Sequence, residues 1–388
     1  MKKKVCILKT GDVTFISRIH RTAQALQETN NYEVTIVSIT PRSKIKEDGY
    51  SYKMLYVDVK SRVLKNSIFT PIRILEGLFK LFIIALNQRA NIYVAIGIED
   101  LISIYFISKL TDSKFVYSAN ELEADRKRVS NNKLNIWINK IVVFFEKRVL
   151  KSAQSVIAAD TERAKLMQQL YDIKKVEVIR NVPIPEDIPA SDLIRKSLDL
   201  PKSNKILLYQ GMLSQGRGLE AAIKACSGTS LRKLCLVLLG FISESYKKEL
   251  IDLAKQNSFN KLYFILPVSW RELLQWTKSA DISIVLIENI SRSYYLAAPN
   301  KLYESIMVGV PYIASNFPEI KHVHSITKGG ILVNPENITE ISEAIYKLIE
   351  NDEFYKKCQL NELKAKEIFN WGVEKRSLIE IFDKIKTK

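Results

Sequence analysis

Residues 208–225 read LYQGMLSQGRGLEAAIKA: a strand-like run ending at Gly211, a loop with Gly216 and Gly218, then a helical pattern. Glycine lets a backbone turn sharply and lets a ligand approach closely. A helix N-terminus presents free amide N–H groups and the positive end of a dipole to an anion. Arg217, inside the loop, can fork two hydrogen bonds onto phosphate oxygens. The spacing is not that of a Walker loop, because Leu219 follows Gly218. A structural turn with a surface arginine accounts for the same residues equally well.

A second stretch, APNKLYESIMVGVPYIAS at 298–315, begins another helix beyond a strand. Lys301 would add a point charge there, and Glu304, one turn on, could accept from a ribose hydroxyl pair. Two helix N-termini at the ends of strands in one sheet could converge on a diphosphate. The plainer reading is a helix start with a solvated Lys–Glu pair at i, i+3. Gly309 and Pro311 suit a helix stop before a strand in either case.

The elements that would position these residues alternate along the whole chain. Apolar runs at 4–9, 32–39, 90–97, 114–119, 153–160 and 175–183 are separated by helical patterns. The segment 181–204 breaks the rhythm with four prolines, and strands resume at 205–211, 234–240, 261–267, 281–287, 311–315 and 329–335, followed by two C-terminal helices. Such βαβ alternation predicts α/β architecture: two Rossmann-like, doubly wound parallel sheets facing across a cleft. The expected domains are 1–183, a linker at 184–204, and 205–370, with a helix at 371–388 packing back toward the first domain.

A chain of 388 residues suits two domains. The formal net charge of +17 calls for an anionic partner or a strongly solvated surface. Four cysteines without a C-x-x-C spacing suggest reduced thiols and a cytoplasmic protein, and three histidines make no metal set. No apolar run reaches the roughly 18 residues of a membrane span; the nearest, 72–86, is broken by Arg73, Glu76 and Lys80. No nucleic-acid-binding pattern is present, so nucleic acid is not an expected partner.

The stretch 279–320 resembles the donor-site segment of bacterial glycosyltransferase family 4, a retaining GT-B family. LYQGMLSQGRGLE (208–220) is similar to that family's diphosphate loop, NVP (181–183) to its hinge and KFVYSANELEAD (114–125) to its V-Y-D-A-H-E segment. SRIHRTAQAL (17–26) and FFEKRVLKSAQSVIAAD (144–160) are similar to further family segments, in the family's order. The resemblance implies a metal-independent hexosyltransferase that needs no cofactor. Its donor would be a UDP- or GDP-linked sugar in the C-terminal domain, and its acceptor a lipid-linked saccharide or oligosaccharide of capsule, O-antigen or exopolysaccharide assembly. Carried over, Arg217, Lys301 and Asn120 would be catalytic. Gly11, Gly211, Gly216, Arg217, Val268, Pro299, Asn300, Lys301 and Glu304 would bind the donor. The chain departs from the family at Leu296, where a glutamate is common, at Met212, where a second cation is common, and at Ser118 and Asn120. These departures motivate an alternative: a non-catalytic partner or glycan-binding subunit on the same fold.

Basic residues mixed with Trp137, Phe144 and Phe145 over 125–151, beside 65–88, form an expected surface for anionic lipid. That would place the protein peripherally on the inner face of the plasma membrane. A core helix with a solvated basic face explains the same pattern.

Overall fold

The structure is a computed structural model that describes residues 2–11, 13, 16–39, 49–59, 70–119, 133–227 and 233–387, without the side chains of 70–73 and 133–139. It divides into two compact units: Met1–Arg180 with Glu374–Lys388, and Asn181–Val373.

The first unit runs β1 (Lys3–Lys9), α1 (Ser17–Glu28), β2 (Tyr32–Ser38), β3 (Lys53–Tyr56), α2 (Thr70–Asn87), β4 (Ile92–Ala95), α3 (Ile98–Thr111), β5 (Lys114–Ala119), α4 (Lys133–Leu150), β6 (Ser155–Ala158), α5 (Thr161–Tyr171) and β7 (Glu177–Val178). Among the described residues its seven strands take the order β3-β2-β1-β4-β5-β6-β7, parallel throughout. The second unit runs α6 (Leu193–Ser197), β8 (Lys205–Gln210), α7 (Leu219–Ser227), β9 (Leu234–Leu239), α8 (Glu244–Gln256), β10 (Leu262–Ile265), α9 (Leu273–Lys278), β11 (Ile282–Val285), α10 (Arg292–Leu296), α11 (Asn300–Val308), β12 (Tyr312–Ser315), α12 (Pro318–Thr327), β13 (Gly330–Val333), α13 (Ile338–Glu350), α14 (Asp352–Ala365) and the start of α15 (Trp371–Asp383). Its parallel sheet has the order β10-β9-β8-β11-β12-β13.

These are two Rossmann-like sheets, as the alternation predicts. The central strands read as unbroken apolar runs because helices cover both faces; β9, LCLVLL, is buried at every position. Strand order reverses between β1 and β4 in the first unit and between β8 and β11 in the second. Doubly wound sheets bind ligands beyond the carboxyl ends of strands at such reversals. The Gly11 turn follows β1, and the 211–218 loop follows β8.

Three details differ from the expected elements. β3 is an additional edge strand, too short and half-buried to announce itself by apolar pattern. The run expected at 175–183 pairs only over Glu177–Val178. Three helices, not two, close the chain, because the Asn351 side chain accepts the Phe354 N–H at 2.9 Å and starts α14 one residue after α13 ends. From Glu374 onward α15 packs with the first unit: Tyr32 donates to Asp383 at 2.7 Å, and the Tyr32 ring meets Phe382 edge-on at 6.2 Å. All four cysteines are buried and none is in a disulfide. Among the described residues, no helix is long and apolar enough to cross a membrane.

Candidate functional site

The loop after β8 is held by its own chain. Gly211 has φ +118°, Gly216 +80° and Gly218 +66°, values that favour glycine. A Cβ on Gly216 would come within 2.5 Å of Ile290 Cδ1, and one on Gly218 within 2.6 Å of Leu286 Cβ. These two glycines let the loop press onto the segment after β11. Glu288 ties that contact: its N–H donates to Gly216 O at 3.0 Å, and its carboxylate accepts the Gly218 N–H. Burial and the nearby Glu220 raise the Glu288 pKa. Gly211 differs, because nothing lies within 4 Å of its Cβ position. Of the three, it is the one open to a ligand.

Arg217 is half-buried. Its guanidinium carbon stacks 4.6 Å from the Tyr294 ring centroid. Its Nε is buried with no hydrogen-bond partner among the described residues. Tyr294 belongs to α10, whose start is capped by Ser291, and it packs against the cluster that includes Leu302 and Phe317.

Lys301 occupies the first turn of α11 and is only 7% exposed, so the solvated-pair reading does not hold. Its Nζ lies 3.4 Å from the Tyr209 ring centroid. Tyr209 is itself fixed, donating from its hydroxyl to Met212 O at 3.0 Å. Burial drives the Lys301 pKa well below its ordinary value; the Arg217 charge lowers it further, and Glu304 opposes them. Two cations thus share one field, each over a tyrosine, with Lys301 at a helix N-terminus whose N-cap, Pro299, offers no side-chain cap. Asn300, the first helical residue, is exposed. Gly309 ends the helix in the left-handed region at φ +67°.

Glu304 Oε2 accepts from Gln210 Nε2 at 2.5 Å. Gln210 Oε1 in turn accepts from the Thr277 hydroxyl at 2.8 Å. Gln210 is 2% exposed and Thr277 is fully buried. The carboxylate only accepts, so it takes the amide N–H and turns Gln210 Oε1 toward the Thr277 hydroxyl; these two residues, which the sequence did not mark, stand behind Glu304. Gln210 closes β8 and Thr277 lies on α9, 67 positions apart, with no shared motif to join them.

The fold therefore gathers Arg217, Lys301, Glu304, Pro299 and Asn300 in the second unit around the end of β8 and the start of α11. Val268, after the edge strand β10, is partly buried against the cluster that includes Leu208, Val237 and Leu239. Leu296 ends α10, and Met212 is 56% exposed. Gly11, in the first unit, has φ +125° and open space at its Cβ position. Asn120 lies outside the described residues. Near Gly11 the structure adds Asp100, fully buried at the start of α3, which accepts the Thr10 N–H at 2.5 Å and lies 3.8 Å from Lys9 Nζ. Burial pushes its pKa up to about 6 against the opposing pull of Lys9. Among the described residues, no three His, Cys, Asp or Glu side chains are grouped to hold a metal ion.

Residues 190–364 match the family of glycosyl transferases group 1. The chain is 23% identical over 260 residues to D-inositol 3-phosphate glycosyltransferase of Nocardioides sp., a match covering 61% of this chain and 55% of that relative. The match thus spans little more than half of that relative's length. In structure it is similar to sucrose-phosphate synthase from Thermosynechococcus elongatus, with a TM-score of 0.81 at 13% identity, covering 98% of each chain. It is also similar to Anabaena HepE solved in complex with UDP-glucose, with a TM-score of 0.75 at 15% identity over 98% of this chain and 100% of that one. The chain therefore has the GT-B fold of two Rossmann-like units, and its residues 190–364 match the glycosyl transferases of group 1.

Proposed function

We propose that the protein transfers a hexose from a nucleotide diphosphate sugar to a lipid-linked or oligosaccharide acceptor, with retention, in surface-polysaccharide assembly. The observation that carries the reading is the pair Arg217 and Lys301, two cations at the end of β8 and the start of α11. A diphosphate is the anion that would satisfy both, and the UDP-glucose bound by HepE supports a UDP-linked donor.

In this reading Arg217 takes phosphate oxygens through its guanidinium and Lys301 adds a positive charge from a dry setting. Negative charge grows on the diphosphate as the glycosidic bond breaks, and fixed cations stabilise that charge without reorganising. Glu304, held by Gln210, accepts from the donor ribose. Gly211 lets the backbone approach the phosphates. A lipid-linked acceptor would be met at the inner face of the plasma membrane.

The test is thermal denaturation with a panel of UDP- and GDP-linked sugars. One member should raise the Tm by several degrees, since a ligand at a hundred times its Kd adds about 2.7 kcal/mol. A chain unmoved by the whole panel would instead be a non-catalytic partner on this fold.

A further inference from the structure

The first unit carries an apolar face that its own core does not use. On α2, Leu75 and Phe79 are each 67% exposed, four residues apart and on one side of the helix. On α3, Ile102, Phe106 and Leu110 repeat at the same spacing, with 44%, 51% and 68% exposure. On α4, Phe144 is 70% exposed. The three helices are neighbours: α2 packs on α3, and the Tyr105 ring of α3 meets Phe145 of α4 edge-on at 6.0 Å. They also share one side of the sheet. The crossovers β3→β4, β4→β5 and β5→β6 all step in the same direction along the strand order, and right-handed connections then place their helices on the same face.

Large apolar side chains exposed singly need no explanation, but a contiguous set on three adjoining helices marks a contact surface. The exposed charges around it are mostly positive. Lys140 and Arg148 on α4 are exposed, while the acid of that helix, Glu146, is buried and bonded to Tyr117 and Tyr171. On α2, Glu76 is neutralised by Lys80 at 2.6 Å. On α3, Lys109 lies between the exposed Phe106 and Leu110; the exposed Asp112 follows that helix. Phenylalanine and leucine inside a lysine- and arginine-rich rim is the chemistry of an interfacial surface that enters the headgroup layer of anionic lipid.

We propose that the α2–α3–α4 face of the first unit docks on an anionic lipid bilayer, with Phe79, Phe106, Leu110 and Phe144 entering the headgroup–acyl boundary. This extends the lipid-linked-acceptor reading, and its test is independent of the donor site. Vesicles of phosphatidylcholine alone, and of phosphatidylcholine with phosphatidylglycerol, are pelleted with the full chain at low and high salt. Two variants are run beside it: Phe79→Ser/Phe106→Ser/Phe144→Ser, and Lys140→Glu/Arg148→Glu. The wild type should pellet with phosphatidylglycerol vesicles at low salt, at least tenfold more than with neutral ones. Each variant should lose at least tenfold of that binding while keeping the Tm and its shift with UDP-glucose. A wild type left in the supernatant, or a triple-serine variant that pellets as the wild type does, overturns the proposal. So does a concentration-dependent dimer in sedimentation velocity that the serine variant abolishes, because a second copy would then cover the face. Loss of the UDP-glucose shift in the wild type would count against the donor reading alone.

Discussion

At the residue scale the informative position is Lys301. The sequence shows a lysine and a glutamate three apart at a helix start, a pattern that most often means a solvated pair. What the pattern cannot show is Tyr209, whose ring covers the amine at 3.4 Å. Burial disfavours the charged amine, and a diphosphate beside it would restore the charge. Binding therefore takes up a proton wherever free Lys301 is partly neutral. UDP-glucose affinity should be full below the lowered pKa of the free protein and fall as pH rises above it. Calorimetry in two buffers of different ionisation enthalpy measures the uptake, which Lys301→Met should abolish. Equal heats in both buffers for the wild type, across the alkaline range, would contradict this. Gln210 makes a second prediction. Gln210→Leu keeps the volume but removes the amide donor from Glu304, a loss of about 1.5–3 kcal/mol for a charged hydrogen bond. UDP-glucose should bind about tenfold more weakly or worse, with Thr277→Val in the same direction and smaller. Wild-type affinity in Gln210→Leu would show that the amide does not position the carboxylate.

At the scale of elements, the strand–loop–helix units around 205–227 and 300–315 were legible, because apolar runs and glycines bracket them. The reason for each glycine was not. Gly216 and Gly218 serve the packing of the loop on Ile290 and Leu286, which are distant in sequence. Gly218→Ala combines a left-handed backbone with a clash against a Cβ atom that cannot swing away. It should cost at least about 1 kcal/mol of stability, read from urea denaturation, and weaken donor binding with it. A fully stable Gly218→Ala would mean the loop relaxes freely. The final helices were harder to read, since one asparagine divides α13 from α14 and no spacing announces it. On α14, Glu362 is fully buried, and neither carboxylate oxygen has a hydrogen-bond partner among the described residues. Burial raises its pKa well above the ordinary range. The unfolded chain releases this proton near about pH 4.3, so the folded state loses stability as pH rises from there toward the raised value. Glu362→Gln keeps the shape without titrating. Its Tm advantage over the wild type should be larger at pH 8 than at pH 5, and an equal difference at both would contradict the assignment.

At the scale of the whole molecule, the fold was open to a pattern argument. The alternation of apolar runs and turns extends along the chain, although structures that share its fold are only 13–15% identical to it. The apolar face of α2, α3 and α4 was half legible. The basic, aromatic run at 125–151 and the stretch at 65–88 mark α4 and α2, but nothing in the sequence of α3 sets it apart, and only the tertiary placement leaves Ile102, Phe106 and Leu110 outside. The net charge of +17 divides the same way: part of it rims that face, and two cations lie inward at the end of β8. The central claim is that Arg217 and Lys301 together grip a nucleotide diphosphate. The most direct measurement is calorimetric titration of UDP-glucose into the wild type, Arg217→Lys and Lys301→Met. Saturable one-to-one binding is expected in the wild type. Lys301→Met should weaken it by at least tenfold, and Arg217→Lys should fall short of wild-type affinity because a point charge cannot reproduce the guanidinium fork. Binding of equal strength in all three proteins would contradict the account.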